Sequence, residues 1–192
     1  MRALVLCGGL GTRLGKLTQD KPKCLIDVGG RPIIDHVLWQ LSLYGIHNVI
    51  VNVHHKYDQI IKYLGVDVLY SYEPKLLNSA GSVKNLADWF DEDILVVNGD
   101  TISNANYKDF IDFSMLVHYE DTCILTNKTN GKCAGAYLIS TETAQTLQRG
   151  KTIDECLNKE NVRYFIQPGL VYFDCGTAQG LLKARHYAQK IS

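Results

Sequence analysis

The chain lacks a net charge, a long apolar run and any paired-cysteine spacing. Its 20 basic and 20 acidic side chains cancel over 192 residues. That removes the net basic face which nucleic acid or a polyanionic membrane surface would require. No apolar run approaches the ~20 residues of a spanning helix, so no membrane segment is expected. The start, Met1-Arg2-Ala3-Leu4-Val5-Leu6-Cys7, has one basic residue and runs straight into Gly8-Gly9. Without a small-residue cleavage site it reads as a buried first strand, not a leader. The six cysteines, Cys7, Cys24, Cys123, Cys133, Cys156 and Cys175, never fall in CxxC or zinc-finger spacing. Several lie inside apolar runs, where a free thiol behaves as a small hydrophobe, and a reduced, cytoplasmic protein is the expectation. Hydrophobic residues at 46% and charged ones at 21% exclude disordered, collagen-like and coiled-coil chains. There is no internal repeat, linker or low-complexity segment. One domain over residues 1–192 is expected, large enough to fold without a disulfide or metal staple.

What is present is an alternation of short apolar strands with amphipathic helices. Leu4 to Cys7, Leu25 to Val28, Val49 to Val53, Val66 to Tyr70, Ile94 to Val97, Thr122 to Thr126, Cys133 to Ile139, Tyr164 to Ile166 and Leu170 to Phe173 read as strands. A helix opens at Pro32 and carries Ile33, Ile34, Val37, Leu38, Leu41 and Tyr44 to a stop at Gly45. Further helices are expected at Tyr57–Leu64, within Asn78–Trp89 with Ser79 as its cap, and at Tyr107–Val117, Thr141–Gln148, Thr152–Asn158 and Thr177–Gln189. Asn127 to Lys132 reads as a hairpin turn. Residues 8–23 show no period and form a long loop, a length that compact domains keep for function. The alternation predicts an α/β fold: a mainly parallel, three-layer, Rossmann-like sheet with helices on both faces.

In such sheets ligands bind beyond the carboxyl ends of the strands. The peptides there are Cys7-Gly8-Gly9, Asn52-Val53-His54-His55, Asn98-Gly99-Asp100 and Phe173-Asp174-Cys175-Gly176. The glycine loop fails both standard phosphate patterns. A dinucleotide fingerprint would want glycine where Leu14 stands, and a P-loop would want glycine at Leu10 and a hydroxyl at Leu17. Glycines that let backbone N–H groups approach an anion remain, together with Arg13, Lys16, Lys21 and Lys23. Asp100 and Asp174 each end an apolar strand, where a carboxylate needs a cation or donors. Converging on one rim, they would suit Mg²⁺, which takes one or two carboxylates plus phosphate oxygens and water. Adjacent His54 and His55 point to opposite sides of an extended chain and make a poor metal pair. Nothing marks Cys7 or Cys175 as a reactive thiolate, and Trp39 and Trp89 read as core or interface residues.

Leu6-Cys7-Gly8-Gly9-Leu10-Gly11-Thr12-Arg13-Leu14 followed by Lys21-Pro22-Lys23 resembles the signature of the nucleotidyltransferases that activate sugar 1-phosphates. Asn52-Val53-His54-His55, Leu76 to Ser82, Val97-Asn98-Gly99-Asp100, Gly135-Ala136-Tyr137 and Phe173 to Thr177 resemble that family's later blocks in the same order. The style is closest to mannose-, heptose- and muramic-acid-phosphate enzymes. The resemblance implies a GT-A-like fold and the reaction NTP plus sugar 1-phosphate to NDP-sugar plus pyrophosphate. It places Leu6, Gly8, Gly9, Gly11, Thr12, Asn52, Ser79 and Gly81 around the nucleotide, and Arg13 and Lys23 on the phosphates as catalytic cations. Asp100 and Asp174 would hold Mg²⁺, with Gly135 in the acceptor pocket. The Glu-Lys-Pro-like stretch usual before that glycine is missing, and residues 126–131 read as a tight turn. That departure keeps open cytidylyl or uridylyl transfer to a non-sugar phosphate such as phosphocholine, and a silent nucleotide-binding subunit. A homo-oligomer is compatible with the sequence, which leaves base, acceptor and oligomeric state undecided.

Overall fold

Eleven strands and seven α-helices organise the chain in a computed structural model that describes residues 1–117, 122–128 and 131–191. The strands are β1 (Arg2–Leu6), β2 (Asp27–Val28), β3 (Arg31–Pro32), β4 (Val49–Val53), β5 (Leu69–Tyr72), β6 (Ile94–Asn98), β7 (Thr101–Ser103), β8 (Thr122–Thr126), β9 (Ala136–Ile139), β10 (Val162–Ile166) and β11 (Tyr172–Asp174). The helices are α1 (Ile33–Leu43), α2 (Tyr57–Leu64), α3 (Asn78–Asn85), α4 (Tyr107–Leu116), α5 (Thr141–Thr146), α6 (Ile153–Cys156) and α7 (Ala178–Ile191). None of the described helices is long and apolar enough to cross a membrane.

Seven strands form one sheet in the order β10-β8-β9-β6-β1-β4-β5. All run parallel except β9, which is antiparallel to both β6 and β8. The pairing of β8 with β9 is the expected hairpin; Thr129 and Asn130 of its turn lie outside the described residues. Side chains alternate across the pleat. Ala3, Val5, Val51 and Val97 join Ile33, Val37, Ile60, Phe110 and Leu181 from α1, α2, α4 and α7 on one face. Leu4, Ile50, Val96 and Ile139 join Ala80, Val83, Ala144 and Ile153 from α3, α5 and α6 on the other. The result is the three-layer α/β fold read from the sequence.

Several expected boundaries move. Pro32 is extended (ψ 150) and precedes α1, because it pairs with Asp27 in a β2–β3 hairpin closed by Gly29-Gly30. Leu64 ends α2 as expected, but Val66 is almost fully exposed and the strand begins only at Leu69. The last strand is Tyr172–Asp174, and it pairs with β7 in a separate antiparallel ribbon, since no helix intervenes to carry it back to the sheet. Residues 12–18 and 23–25 form 3-10 turns within the stretch expected as irregular loop. Trp39 and Trp89 are both exposed, which removes them from the core.

Candidate active site

The carboxyl end of β1 lies between β4 and β6, and the chain there turns sharply. Asn52 stands opposite Leu6 in the β1–β4 register. Its Oδ1 accepts from the Cys7 N–H at 2.6 Å and the Gly8 N–H at 3.2 Å. A side chain at residue 8 would put a Cβ 2.7 Å from Asn52 Nδ2, so only glycine allows this approach. Asn52 Nδ2 donates to Glu73 Oε1 at 3.0 Å and Ser82 Oγ at 3.1 Å. The next five amides, from Gly9 to Arg13, meet no acceptor among the described residues. They remain available to an anion, as successive turn N–H groups do in phosphate-binding nests.

The segment bearing Arg13 is then tied down. Thr18 Oγ1 donates to the Gly11 carbonyl at 2.9 Å and the Gly15 carbonyl at 3.1 Å. Lys56, in left-handed conformation just before α2, donates to the Thr18 and Gln19 carbonyls, and Gln59 donates to that of Asp20.

Across the cavity, the β7–β11 ribbon sets Thr101 opposite Asp174, and the Cys175 N–H donates to the Asp100 carbonyl at 2.8 Å. This pairing brings together two carboxylates 74 residues apart in sequence. The position that a Cβ on Gly176 would take lies 2.5 Å from Asp100 Oδ2, 2.8 Å from Asp174 Oδ1 and 2.9 Å from Arg13 Nη2. Both acids and a guanidinium therefore converge on one point. Lys23 Nζ pairs with Asp100 Oδ2 at 2.5 Å, with both side chains largely buried. Arg13 Nη1 lies 3.5 Å from Asp174 Oδ2 in a more exposed pair. No group of three His, Cys, Asp or Glu side chains able to hold a metal gathers here or elsewhere among the described residues.

These features border a cavity of about 460 Å³. Leu6, Gly8, Gly9, Gly11, Thr12, Arg13, Lys23, Asn52, Ser79 and Asp100 line it. Three expected residues fall outside the lining, Asp174 among them, its Oδ1 accepting from the N–H of the lining residue Gly176 at 2.9 Å. Gly81 is buried inside α3, where a Cβ would meet Leu77 and the Arg149 backbone, so it serves helix packing. Gly135 sits at the start of β9 against Thr101, with its carbonyl accepting from Asn98 N–H at 2.8 Å. Ser79 does not cap its own helix; its Oγ accepts from the Ile153 N–H at the start of α6 at 2.9 Å. Asn52 spends all four of its hydrogen-bonding positions within the protein. The lining also includes Leu10, Leu76, Asn78, Ser82, Asn98, Thr152 and Gly176, to which the sequence reading gave no site role. The strand-end argument reaches Asn98 and Gly176, and Leu76 opens the Leu76-to-Ser82 block that carries the family resemblance; Thr152, just before α6, has no signal of its own.

The thiols nearby are inert. All six cysteines are free. A hydrogen bond with Cys24, reinforced by burial, raises the Cys7 thiol well above its usual range, and burial pushes Cys175 up to about 12.

The nucleotidyl transferase family matches residues 2–137. Among relatives, the UTP–glucose-1-phosphate uridylyltransferase AglF of Haloferax volcanii is 38% identical over 116 residues, 58% of this chain and 48% of that protein. The D-glycero-alpha-D-manno-heptose 1-phosphate guanylyltransferase of Campylobacter jejuni is 36% identical over 106 residues, 53% of this chain and 48% of its own length. The chain thus spans about half the length of these relatives. Among solved structures, HddC from Yersinia pseudotuberculosis complexed with GMP-PN superimposes with a TM-score of 0.78 at 22% identity, covering 97% of this chain and 98% of that one. Sheet order, cavity and family match agree, and the chain belongs to the nucleotidyl transferase family.

Proposed function

We propose that the chain transfers a nucleotidyl group from an NTP to a sugar 1-phosphate, releasing pyrophosphate. The observation that carries this reading is the convergence of Asp100, Asp174, Arg13 and Lys23 beside a cavity lined by Gly9 to Arg13, whose five amides meet no acceptor among the described residues. The relatives named above act on glucose and heptose 1-phosphates with UTP and guanylyl donors, and HddC carries a guanine nucleotide analogue. We extend that substrate class to this chain as one domain over residues 1–192. The free cysteines support placing it in a reducing cytoplasm.

Both substrates are anionic, so the site must first offset their repulsion. The Gly9–Arg13 amides would take the phosphate oxygens of the NTP. Leu6, Leu10 and Leu76 supply apolar wall for a flat base. An oxygen of the sugar phosphate attacks the α-phosphorus in line. The new P–O bond forms as the bond to the β-phosphate oxygen breaks, and pyrophosphate leaves. Because the attacking oxygen belongs to an ionised phosphate, no general base is required. Lys23 and Arg13 would stabilise charge on the equatorial and leaving oxygens, with their geometry already set by the two carboxylates. Asp100 and Asp174 fit Mg²⁺: two hard oxygen donors, with no third His, Cys, Asp or Glu gathered with them among the described residues, leaving room for phosphate and water. When bound there, the ion would neutralise phosphate charge.

The test is pyrophosphate release from a panel of NTPs and phosphorylated acceptors, with Mg²⁺ and then with EDTA. Release that needs a sugar 1-phosphate and stops with EDTA supports the proposal. Release with phosphocholine alone redirects it to a non-sugar acceptor, and binding without release assigns a silent nucleotide-binding subunit.

A further inference from the structure

Glu73 is buried to 1% exposure, and no Lys, Arg or His pairs with it among the described residues. It sits one residue past β5, its N–H donating to the Val53 carbonyl and its own carbonyl meeting His54 Nδ1 at 2.8 Å. The carboxylate accepts from Asn52 Nδ2 at 3.0 Å and, more loosely, from the Leu77 N–H at 3.4 Å. An acid held by so few donors is a poor choice for stability alone. Its place suggests another purpose.

An asparagine amide has two ends of nearly equal shape and opposite hydrogen-bonding sense. At Asn52 the sense decides the site. With Oδ1 toward the turn, the Cys7 and Gly8 amides are held, and the five residues that follow, Gly9 to Arg13, line the cavity. Flipped, Nδ2 would confront two N–H donors and the turn would lose its anchor. Ser82 cannot set the sense, because its hydroxyl donates to the Asn78 carbonyl at 3.0 Å now and could rotate to donate to Asn52 instead. An ionised carboxylate can only accept. We infer that Glu73 is a positioning residue: it fixes the polarity of the Asn52 amide and through it the aim of the phosphate-binding turn. This inference rests on the nucleotidyltransferase reading for its consequence and on geometry for the brace itself.

The experiment combines Glu73→Leu, which keeps bulk without an acceptor, with Glu73→Gln, which retains one, Asn52→Ala and the Glu73→Leu/Asn52→Ala double variant. Affinity is measured by calorimetry for ATP, GTP, CTP, UTP and TTP with MgCl₂. Backbone hydrogen exchange at Cys7 and Gly8 is measured without ligand. For the NTP bound most tightly, Glu73→Leu and Asn52→Ala should each weaken binding at least ~10-fold. The double variant should add less than ~3-fold to the worse single, since coupled residues are not additive. Glu73→Gln should stay within ~3-fold of wild type, a rescue that loss of general stability would not produce. Exchange at Cys7 and Gly8 should accelerate in Glu73→Leu and remain slow in Glu73→Gln. Additive losses, a Gln variant as weak as Leu, or unchanged exchange would each overturn the inference. If wild type binds none of the NTPs, the functional reading fails and the exchange data alone decide the brace. Should Glu73→Leu not fold, Glu73→Ala is read in the same comparisons.

Discussion

Replacing Gly176 with alanine separates the chemistry of the site from its stability. The φ of Gly176 is outside the left-handed region, so alanine is not strained by its backbone. The added Cβ would stand 2.5 Å from Asp100 Oδ2, 2.8 Å from Asp174 Oδ1 and 2.9 Å from Arg13 Nη2. To regain ~3.5 Å the two oxygens must retreat by about 0.7 to 1.0 Å. A metal–oxygen bond tolerates only ~0.2 Å, so two carboxylates moved that far no longer share an ion. The atoms displaced are the ends of side chains, and Asp174 is half exposed. The fold should therefore lose about 1 kcal/mol, lowering Tm by ~2–4 °C for a chain of this size. Turnover should fall ~100-fold, about 2.7 kcal/mol of barrier, the scale of one preorganised charge. Pyrophosphate release at saturating Mg²⁺, beside a thermal melt, measures both. A variant that keeps more than a third of wild-type kcat with an unchanged Mg²⁺ requirement would refute the argument that the carboxylates act through that point.

Asp100→Asn and Lys23→Ala should each reduce turnover at least ~100-fold, and a loss of tenfold or less would strike that residue from the catalytic set. Both also leave one member of a mostly buried pair unpartnered, so chemical denaturation should show a loss of about 3 kcal/mol. Arg13→Ala breaks a more exposed pair at 3.5 Å, so its unfolding free energy should change by less than ~1 kcal/mol while turnover still drops; equal losses in both would place Arg13 in the fold instead. Burial holds the Cys175 thiol protonated up to about 12 against its usual 9.0. The folded form therefore keeps a proton that the unfolded chain releases, and stability present below pH 9 declines as pH rises toward 12. A Cys175→Ala variant should show a flatter alkaline unfolding profile, and an equally steep one would assign the effect elsewhere.

The sequence carried the layers and the rim but not the wiring between them. The limits of β4 and α2 follow from uninterrupted apolar runs with clear stops, and both match residue for residue. Asp100 and the glycine turn were found because strand ends locate ligands in this architecture. Asp174 was found for a partly wrong reason: its strand lies in the β7–β11 ribbon, outside the main sheet, and that ribbon is what unites the acids. Three-residue strands such as β7 leave too little pattern to read. The 3-10 turns at residues 12–18 bury only Leu14 and Thr18, so no amphipathic period announces them. Glu73, between exposed Tyr72 and Pro74, looks like a solvated surface acid; only the fold shows it buried beneath Asn52. Gly81 was assigned to the ligand by motif alone, whereas its lack of a side chain lets α3 pack against the Arg149 segment.

Following the α-phosphate of the donor tests the central claim most directly. The protein is incubated with Mg²⁺, a sugar 1-phosphate and an NTP labelled at the α-phosphorus, and the labelled products are separated. The account predicts label in an NDP-sugar, one pyrophosphate released for each, and none of either for Asp100→Asn or in EDTA. Label recovered only as free nucleotide, or transfer of the γ-phosphate in its place, would contradict it.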